Sequence, residues 1–172
     1  LSSAASDVYK RQKINKNDEK LWLILSEAQV ANKLYKNALI SLNKAQEINP
    51  NNSESYILEG NIYLKTSKLQ KAKTALEKAL RIESNNYKAI FQLGNILLME
   101  KNYSEAIKLF DESVKIKPDF WQAINNKGLA YFEKNNINLS IDLFKKAISI
   151  EENAEPLSGP VSYTHLTLPT TS

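Results

Sequence analysis

Ile48, Ile82, Ile116 and Ile150 stand 34 residues apart, and other positions recur in step with them. With units counted from Glu19, Ser53, Tyr87 and Trp121, the eighth position reads Ser26, Gly60, Gly94, Gly128 and the twentieth reads Ala38, Ala72, Ala106, Ser140. The twenty-fourth is Leu42, Leu76, Phe110, Phe144; the twenty-seventh is Ala45, Ala79, Ser113, Ala147; Pro50 and Pro118 share the thirty-second. Such a period confines the chain to an array in which each unit is one supersecondary element and neighbouring units repeat the same contact.

Within each unit the apolar spacing is helical. Two antiparallel helices approach closely only where one presents almost no side-chain bulk. Gly60, Gly94 and Gly128 therefore mark the contact face of each first helix, and Ala38, Ala72 and Ala106 the matching gaps on each second helix. Trp22, Tyr56, Ile90 and Ile124 at the fourth position fill the space between, with Tyr63, Leu97 and Tyr131 at the eleventh. First helices are expected near Glu19 to Asn32, Ser53 to Thr66, Tyr87 to Glu100 and Trp121 to Lys134. Second helices are expected near Asn37 to Ile48, Gln70 to Ile82, Ser104 to Ile116 and Asn138 to Ile150. Breakers separate the hairpins: Asn49 to Asn52, Ser84 to Asn86, and Lys117 to Asp119. Their side chains offer the backbone alternative hydrogen bonds, and proline disfavours helix at the residue before it. Tyr35, Leu69, Tyr103 and Ile137, at the seventeenth position, are expected to plug the inner turns as core.

These positions together resemble the tetratricopeptide repeat (TPR). The resemblance implies an all-α, right-handed TPR α-solenoid of antiparallel helix hairpins, with repeats over 19–52, 53–86, 87–120 and 121–154. Residues 13–18 read as a polar lead-in. Residues 155–159 read as the start of a truncated fifth repeat, since Glu155 and Pro156 fall where a fifth unit would open and proline suits a first helical turn.

The outermost segments have a different character. Ser2 to Gln12 read SSAASDVYKRQ, the translation of a transposase sequencing adapter, and Val161 to Thr170 read VSYTHLTLPT, the translation of its reverse complement. Residues 1–12 and 160–172 are therefore expected to be adapter-derived. The one histidine, His165, lies in the second of these, and the chain has no cysteine. Between them there is no imidazole or thiol to serve as base, nucleophile or zinc ligand, so neither a metal nor a cofactor is expected.

The formal net charge of +4 is mildly basic. Basic charge can serve nucleic acid, yet Arg81 is the only arginine outside the adapter-like ends, and arginine is the residue that bidentate phosphate and base contacts favour. The lysines are read as solvated surface, and nucleic acid is not expected as a partner. RNA-reading helical repeats of the related pentatricopeptide class also run one residue longer than this period. No apolar run approaches the ~18 residues of a spanning helix, so no membrane span is expected, and a cytoplasmic location is the expectation.

The resemblance further implies that positions two, five, nine, twelve and thirteen of the first helices line the concave inner surface. In the second repeat these include Ile57, Asn61 and Leu64; in the third, Lys88, Phe91, Asn95, Leu98 and Met99; in the fourth, Gln122, Asn125, Leu129 and Phe132. An apolar floor flanked by amides suits an extended peptide or a short helix, because burial drives association and Asn pairs with a peptide through both donor and acceptor. The carboxylate clamp of chaperone-binding TPR domains resembles this chain poorly. At its five positions stand Ile57, Asn61, Gln92, Gln122 and Asn126, and only Asn61 matches. The asparagine ladder of sugar-transferase TPR arms finds Ile24, Leu58, Gln92 and Asn126, one rung in four. Glu105, Asp111 and Glu112 lie at exposed spacing on second helices and read as a solvated face, and no Gly-rich phosphate loop occurs. The expected function is a non-enzymatic scaffold or assembly module that binds a protein or peptide. The alternative is the substrate-recruiting arm of a larger enzyme such as a glycosyltransferase.

Overall fold

A computed structural model describes residues 18–153, and the expectations for the adapter-like ends, for residues 13–17 and for a fifth repeat lie outside the described residues. The described chain is all-helical: α1 Glu19–Ala31, α2 Tyr35–Ile48, α3 Ser53–Lys65, α4 Leu69–Ile82, α5 Tyr87–Met99, α6 Tyr103–Ile116, α7 Trp121–Glu133 and α8 Ile137–Asn153. Each consecutive pair forms a hairpin, and α2 packs on α3, α4 on α5 and α6 on α7 to join one hairpin to the next. First helices also touch their successors, α1 with α3, α3 with α5 and α5 with α7, whereas no two second helices meet among the described residues. A row in which the first helices are neighbours and the second helices stand apart is curved, with the first helices on the inner side.

Close approach sets the packing. A Cβ added to Gly60 would lie 2.8 Å from Leu76 Cγ, one on Gly94 2.6 Å from Phe110 Cε1, and one on Gly128 2.9 Å from Phe144 Cε1. The eighth position thus receives the large residue of the twenty-fourth. In the first repeat Ser26 takes this place and donates its hydroxyl to the Ala38 carbonyl at 3.0 Å. Leu42, Leu76 and Phe110 are enclosed, as are Ala38, Ala72 and Ala106, and burying one such large side chain stabilises the fold by about 1.5–3 kcal/mol. Ile48, Ile82 and Ile116, which announce the period, are instead exposed at the ends of their helices.

The second helices begin one or two residues earlier than expected, because the inner turns are tight. In each, the N–H two residues beyond the helix cap reaches back five residues: Leu34 to Gln29, Lys68 to Tyr63, Asn102 to Leu97 and Asn136 to Tyr131, at 2.8–2.9 Å. This Schellman arrangement needs a left-handed residue before it. Lys33, Ser67, Lys101 and Asn135 supply it, with φ of 60°, 57°, 61° and 60°. Tyr35, Leu69 and Tyr103 are half-buried beside these turns, while Ile137 in the last hairpin is exposed and does not act as a core plug.

Each of the first three repeats ties the start of its first helix to the loop after its second, each time with different chemistry. Glu19 accepts from Asn49 Nδ2 at 2.8 Å and from Asn52 Nδ2. In the next repeat the carboxylate has changed sides: Glu83 accepts from Ser53 Oγ at 2.6 Å and from Asn86 Nδ2 at 2.7 Å. In the third, Tyr87 packs edge-on against Phe120 at 4.9 Å, with Lys117 Nζ 5.2 Å from the Tyr87 ring. Asp18, Asn52 and Asn86 also cap the first helices by accepting from Lys20, Glu54 and Lys88 N–H. Phe120 at the corresponding place gives up that cap for its aromatic contacts.

Candidate functional site

On α3, α5 and α7 the inner face carries three stripes of the expected residues. Residues four and three apart share one side of a helix, so Ile57, Asn61 and Leu64 align on α3, Phe91, Asn95 and Leu98 on α5, and Asn125, Leu129 and Phe132 on α7. Their accessibility differs sharply. Ile57 is 2% exposed and belongs to a cluster with Tyr56, Leu76, Ala89 and Ile96. It is a correction to the expected contact set: its side chain fills the joint between repeats and offers a ligand no surface. Leu64 is half-buried against the same cluster.

Phe91 is half-buried and held by two rings, Phe120 at 4.9 Å and Phe110 at 5.9 Å. Together with Leu98 it packs on the cluster of Ala106, Phe110 and Ala123. Both are therefore floor, with part of each side chain open. Leu129 and Phe132 are 37% and 50% exposed, and Met99 on α5 is 55% exposed. On α5 and α7 these three are the most open apolar groups of the inner face.

Polar groups join the stripes across repeats. Asn126 Nδ2 donates to Asn95 Oδ1 at 2.7 Å, Asn95 Nδ2 donates to Gln92 Oε1 at 2.9 Å, and Asn125 Nδ2 donates to Asn126 Oδ1 at 3.2 Å. Four amides form one chain from α7 to α5. Gln92 and Asn126 lie outside the contact set expected from sequence. The signal for them was the sixth position, which changes from Ile24 and Leu58 to Gln92 and Asn126. Asn61, the register equivalent of Asn95, is half-buried, and its Oδ1 is enclosed with no hydrogen-bond partner among the described residues. An unpaired acceptor of this kind costs about 1–3 kcal/mol. Gln122 is half-buried at the start of the α7 stripe.

Lys88 Nζ lies 3.0 Å from Glu54 Oε1, linking the second positions of two successive repeats. Burial works to lower the Lys88 pKa, but the hydrogen bond and charge of Glu54, aided by Tyr87 and Glu27, outweigh it and hold the ammonium above its usual value. Lys88 and Glu54 thus offset each other's charge between repeats two and three. Two of the carboxylates at exposed spacing on α6 sit in surface ion pairs: Glu105 with Lys108 at 2.7 Å and Asp111 with Lys127 at 2.5 Å. No helix among the described residues is long and apolar enough to cross a membrane.

Comparison with known proteins places this geometry. The family model described as anaphase-promoting complex, cyclosome, subunit 3 matches residues 31–113, and the model described as tetratricopeptide repeat matches residues 122–153. No curated protein sequence matches the chain. A crystal structure of MamA superposes with a TM-score of 0.67 at 26% identity, covering 86% of this chain and 84% of that one. A second MamA structure gives 0.65 at 27% identity, covering 81% and 76%. The pilF protein of Pseudomonas aeruginosa gives 0.72 at 20% identity, covering 79% of this chain and 62% of that one, and so shares the fold. Hairpins of one period, each closed by a small-to-large contact and matched by the family models over residues 31–113 and 122–153, make this chain a tetratricopeptide-repeat protein.

Proposed function

We propose that the chain is a protein-interaction scaffold that holds a linear segment of its partner along the inner face of the first helices and performs no chemistry on it. The observation that carries the reading is the juxtaposition on α5 and α7 of a chain of amides with exposed Met99, Leu129 and Phe132. Buried apolar anchors supply most of the energy at an interface, and amides fix the orientation of the backbone beside them. The anchors are expected to be Leu129 and Phe132, with Phe91, Leu98 and Leu64 as floor and Asn95, Asn125 and Lys88 at the rim.

The test begins with random linear peptides displayed on phage and selected on the full chain. The recovered peptide is labelled and titrated by fluorescence anisotropy against the parent, Leu129→Ser/Phe132→Ser and the outer-face control Lys108→Ser/Lys115→Ser. Loss of an aromatic anchor at an interface costs about 2 kcal/mol, so the inner-face variant should bind about thirtyfold more weakly while the control matches the parent. The opposite pattern would place the ligand on the second helices and end this reading.

A further inference from the structure

The seventh position of the repeat reads Leu25, Glu59, Leu93 and Lys127, and the twenty-fifth reads Asn43, Glu77, Asp111 and Lys145. Where repeat three meets repeat four, these places make an ion pair, Lys127 Nζ lying 2.5 Å from Asp111 Oδ1. Where repeat two meets repeat three, Leu93 packs against the same apolar cluster as Leu80. The first joint has neither solution. Its seventh-position residue is the carboxylate Glu59, and the residue standing where Asp111 answers Lys127 is the neutral Asn43, whose Nδ2 donates to Glu47 at 2.9 Å. Glu59 is in no ion pair among the described residues.

This joint also holds a cavity of about 350 Å³ between α2 and α3, with Leu39, Ile40 and Leu42 on one side and Glu59 and Tyr63 on the other. No residue of the inner-face stripes lines it. Glu59 is half-buried and accepts from Gln46 Nε2 at 3.0 Å. Burial, and then the charge and a hydrogen bond of Glu59, raise the Tyr63 pKa. Two neutral donors therefore orient the carboxylate and leave its charge unanswered, while a carboxylate has room for about four hydrogen bonds. The lysines beside the cavity are engaged elsewhere. Lys44 Nζ lies 2.7 Å from Glu47, and Lys71 Nζ lies 5.8 Å from the Tyr63 ring centroid.

We infer that this cavity takes an arginine side chain from a protein partner, its guanidinium on Glu59 and its aliphatic stem along Leu39 and Ile40. The site is separate from the inner face and would give the partner a second point of attachment. By register the missing group is a cation, and a long basic side chain can lay its stem on apolar surface while its head stays polar. Ile40 is 65% exposed and offers that surface. Guanidinium is less strongly hydrated than ammonium and its planar fork matches a carboxylate, so arginine suits a half-buried Glu59 better than lysine. At the small end of ligand sites, which run about 300–1,000 Å³, the cavity fits one side chain rather than a whole cofactor.

The experiment titrates the full, isotope-labelled chain with the capped peptide acetyl-Gly-Gly-Arg-Gly-Gly-amide and follows backbone amide shifts by NMR. Amides of Leu39 to Gln46 and of Glu59 to Tyr63 should move and saturate. A charged hydrogen bond is worth about tenfold in Kd or more, so the citrulline peptide, which keeps the shape without the charge, should bind at least about tenfold more weakly. Glu59→Gln should weaken the arginine peptide equally. Asn43→Lys, which builds at this joint the ion pair of Lys127 and Asp111 with its signs exchanged, should lose binding while its circular-dichroism spectrum and melting midpoint hold. Leu129→Ser/Phe132→Ser should bind this peptide like the parent, so the two sites stand or fall separately. Equal binding of the arginine and citrulline peptides, or no shift at millimolar peptide, overturns the site. A lysine peptide as tight as the arginine one overturns the guanidinium, and agmatine binding more tightly than the peptide overturns the protein partner in favour of a free small cation.

Discussion

Gly94 and Phe110 are packed so closely that a Cβ on the glycine would lie 2.6 Å from the ring Cε1. Phe110 is fully enclosed and also touches Phe91, so the ring has nowhere to go. Gly128 meets Phe144 at 2.9 Å, but Phe144 is only half-buried on the last described helix and can move. Alanine in place of a helical glycine gains about 1 kcal/mol of propensity, whereas overpacking costs about 1–3 kcal/mol. Gly94→Ala should therefore lower the urea midpoint, and Gly128→Ala should leave it level or raise it. Gly94→Leu should be far more damaging than Lys108→Leu, which changes a side chain on the outer surface. Equal midpoints for the two alanine variants would show that Phe110 is free to shift.

The left-handed turn residues predict gains. Lys33 and Lys101 pay a conformational strain of about 1–2 kcal/mol at positive φ, against about 0.4–1 kcal/mol for the extra unfolded-state entropy of glycine. Lys33→Gly and Lys101→Gly should each stabilise the array by roughly 0.5–1 kcal/mol by that difference. Asn135→Gly should gain less, since asparagine tolerates this conformation. Thermal melts of the three variants check the order.

Glu83 predicts a dependence on pH. Hydrogen bonds from Ser53 and then Asn86 hold its carboxyl below the ordinary value of 4.5. A lowered folded-state pKa stabilises the protein above the unfolded value and ceases to do so as pH falls through the folded one. Parent and Glu83→Gln should differ most at pH above 4.5 and converge as the pH drops below it. The group is largely exposed, so the difference at neutral pH should stay under ~1 kcal/mol. Urea titrations of both proteins at neutral and acid pH make the comparison, and a constant gap across that range would mean the carboxylate's charge is not what Ser53 and Asn86 hold.

Phe91 and Phe132 should separate stability from binding. Phe91→Ser breaks ring contacts at 4.9 and 5.9 Å and removes half-buried bulk, so it should cost about 2 kcal/mol or more of stability, within the range for large-to-small changes. Phe132→Ser removes an aromatic group that is half exposed, and its unfolding midpoint should move little. Differential scanning calorimetry of the two variants, beside their peptide titrations, distinguishes floor from anchor.

The first-helix starts and the small-to-large contacts were legible because a repeat writes the same steric demand at the same place each time: Gly60, Gly94 and Gly128 recur since each meets the large residue of the twenty-fourth position. Helix starts at Glu19, Ser53, Tyr87 and Trp121 follow for the same reason. Accessibility was not legible. Ile57 and Phe132 are both large, apolar and on inner-face positions, yet one is enclosed and the other half open. Which of them a neighbour covers depends on the residues of the adjoining repeat, 34 positions away in sequence. The left-handed turns were hidden too, because Lys33, Ser67 and Lys101 carry no glycine signature and adopt positive φ only because the Schellman bonds and the packed helices on either side hold them there. Sequence alone thus determined the repeating unit and its register. Tertiary structure decided which side chains are free to meet a partner, and that the amides of Asn95 and Asn126 pair while Asn61 is left without a donor, since pairing is a matter of reach between helices and periodicity specifies only which residues are placed to try.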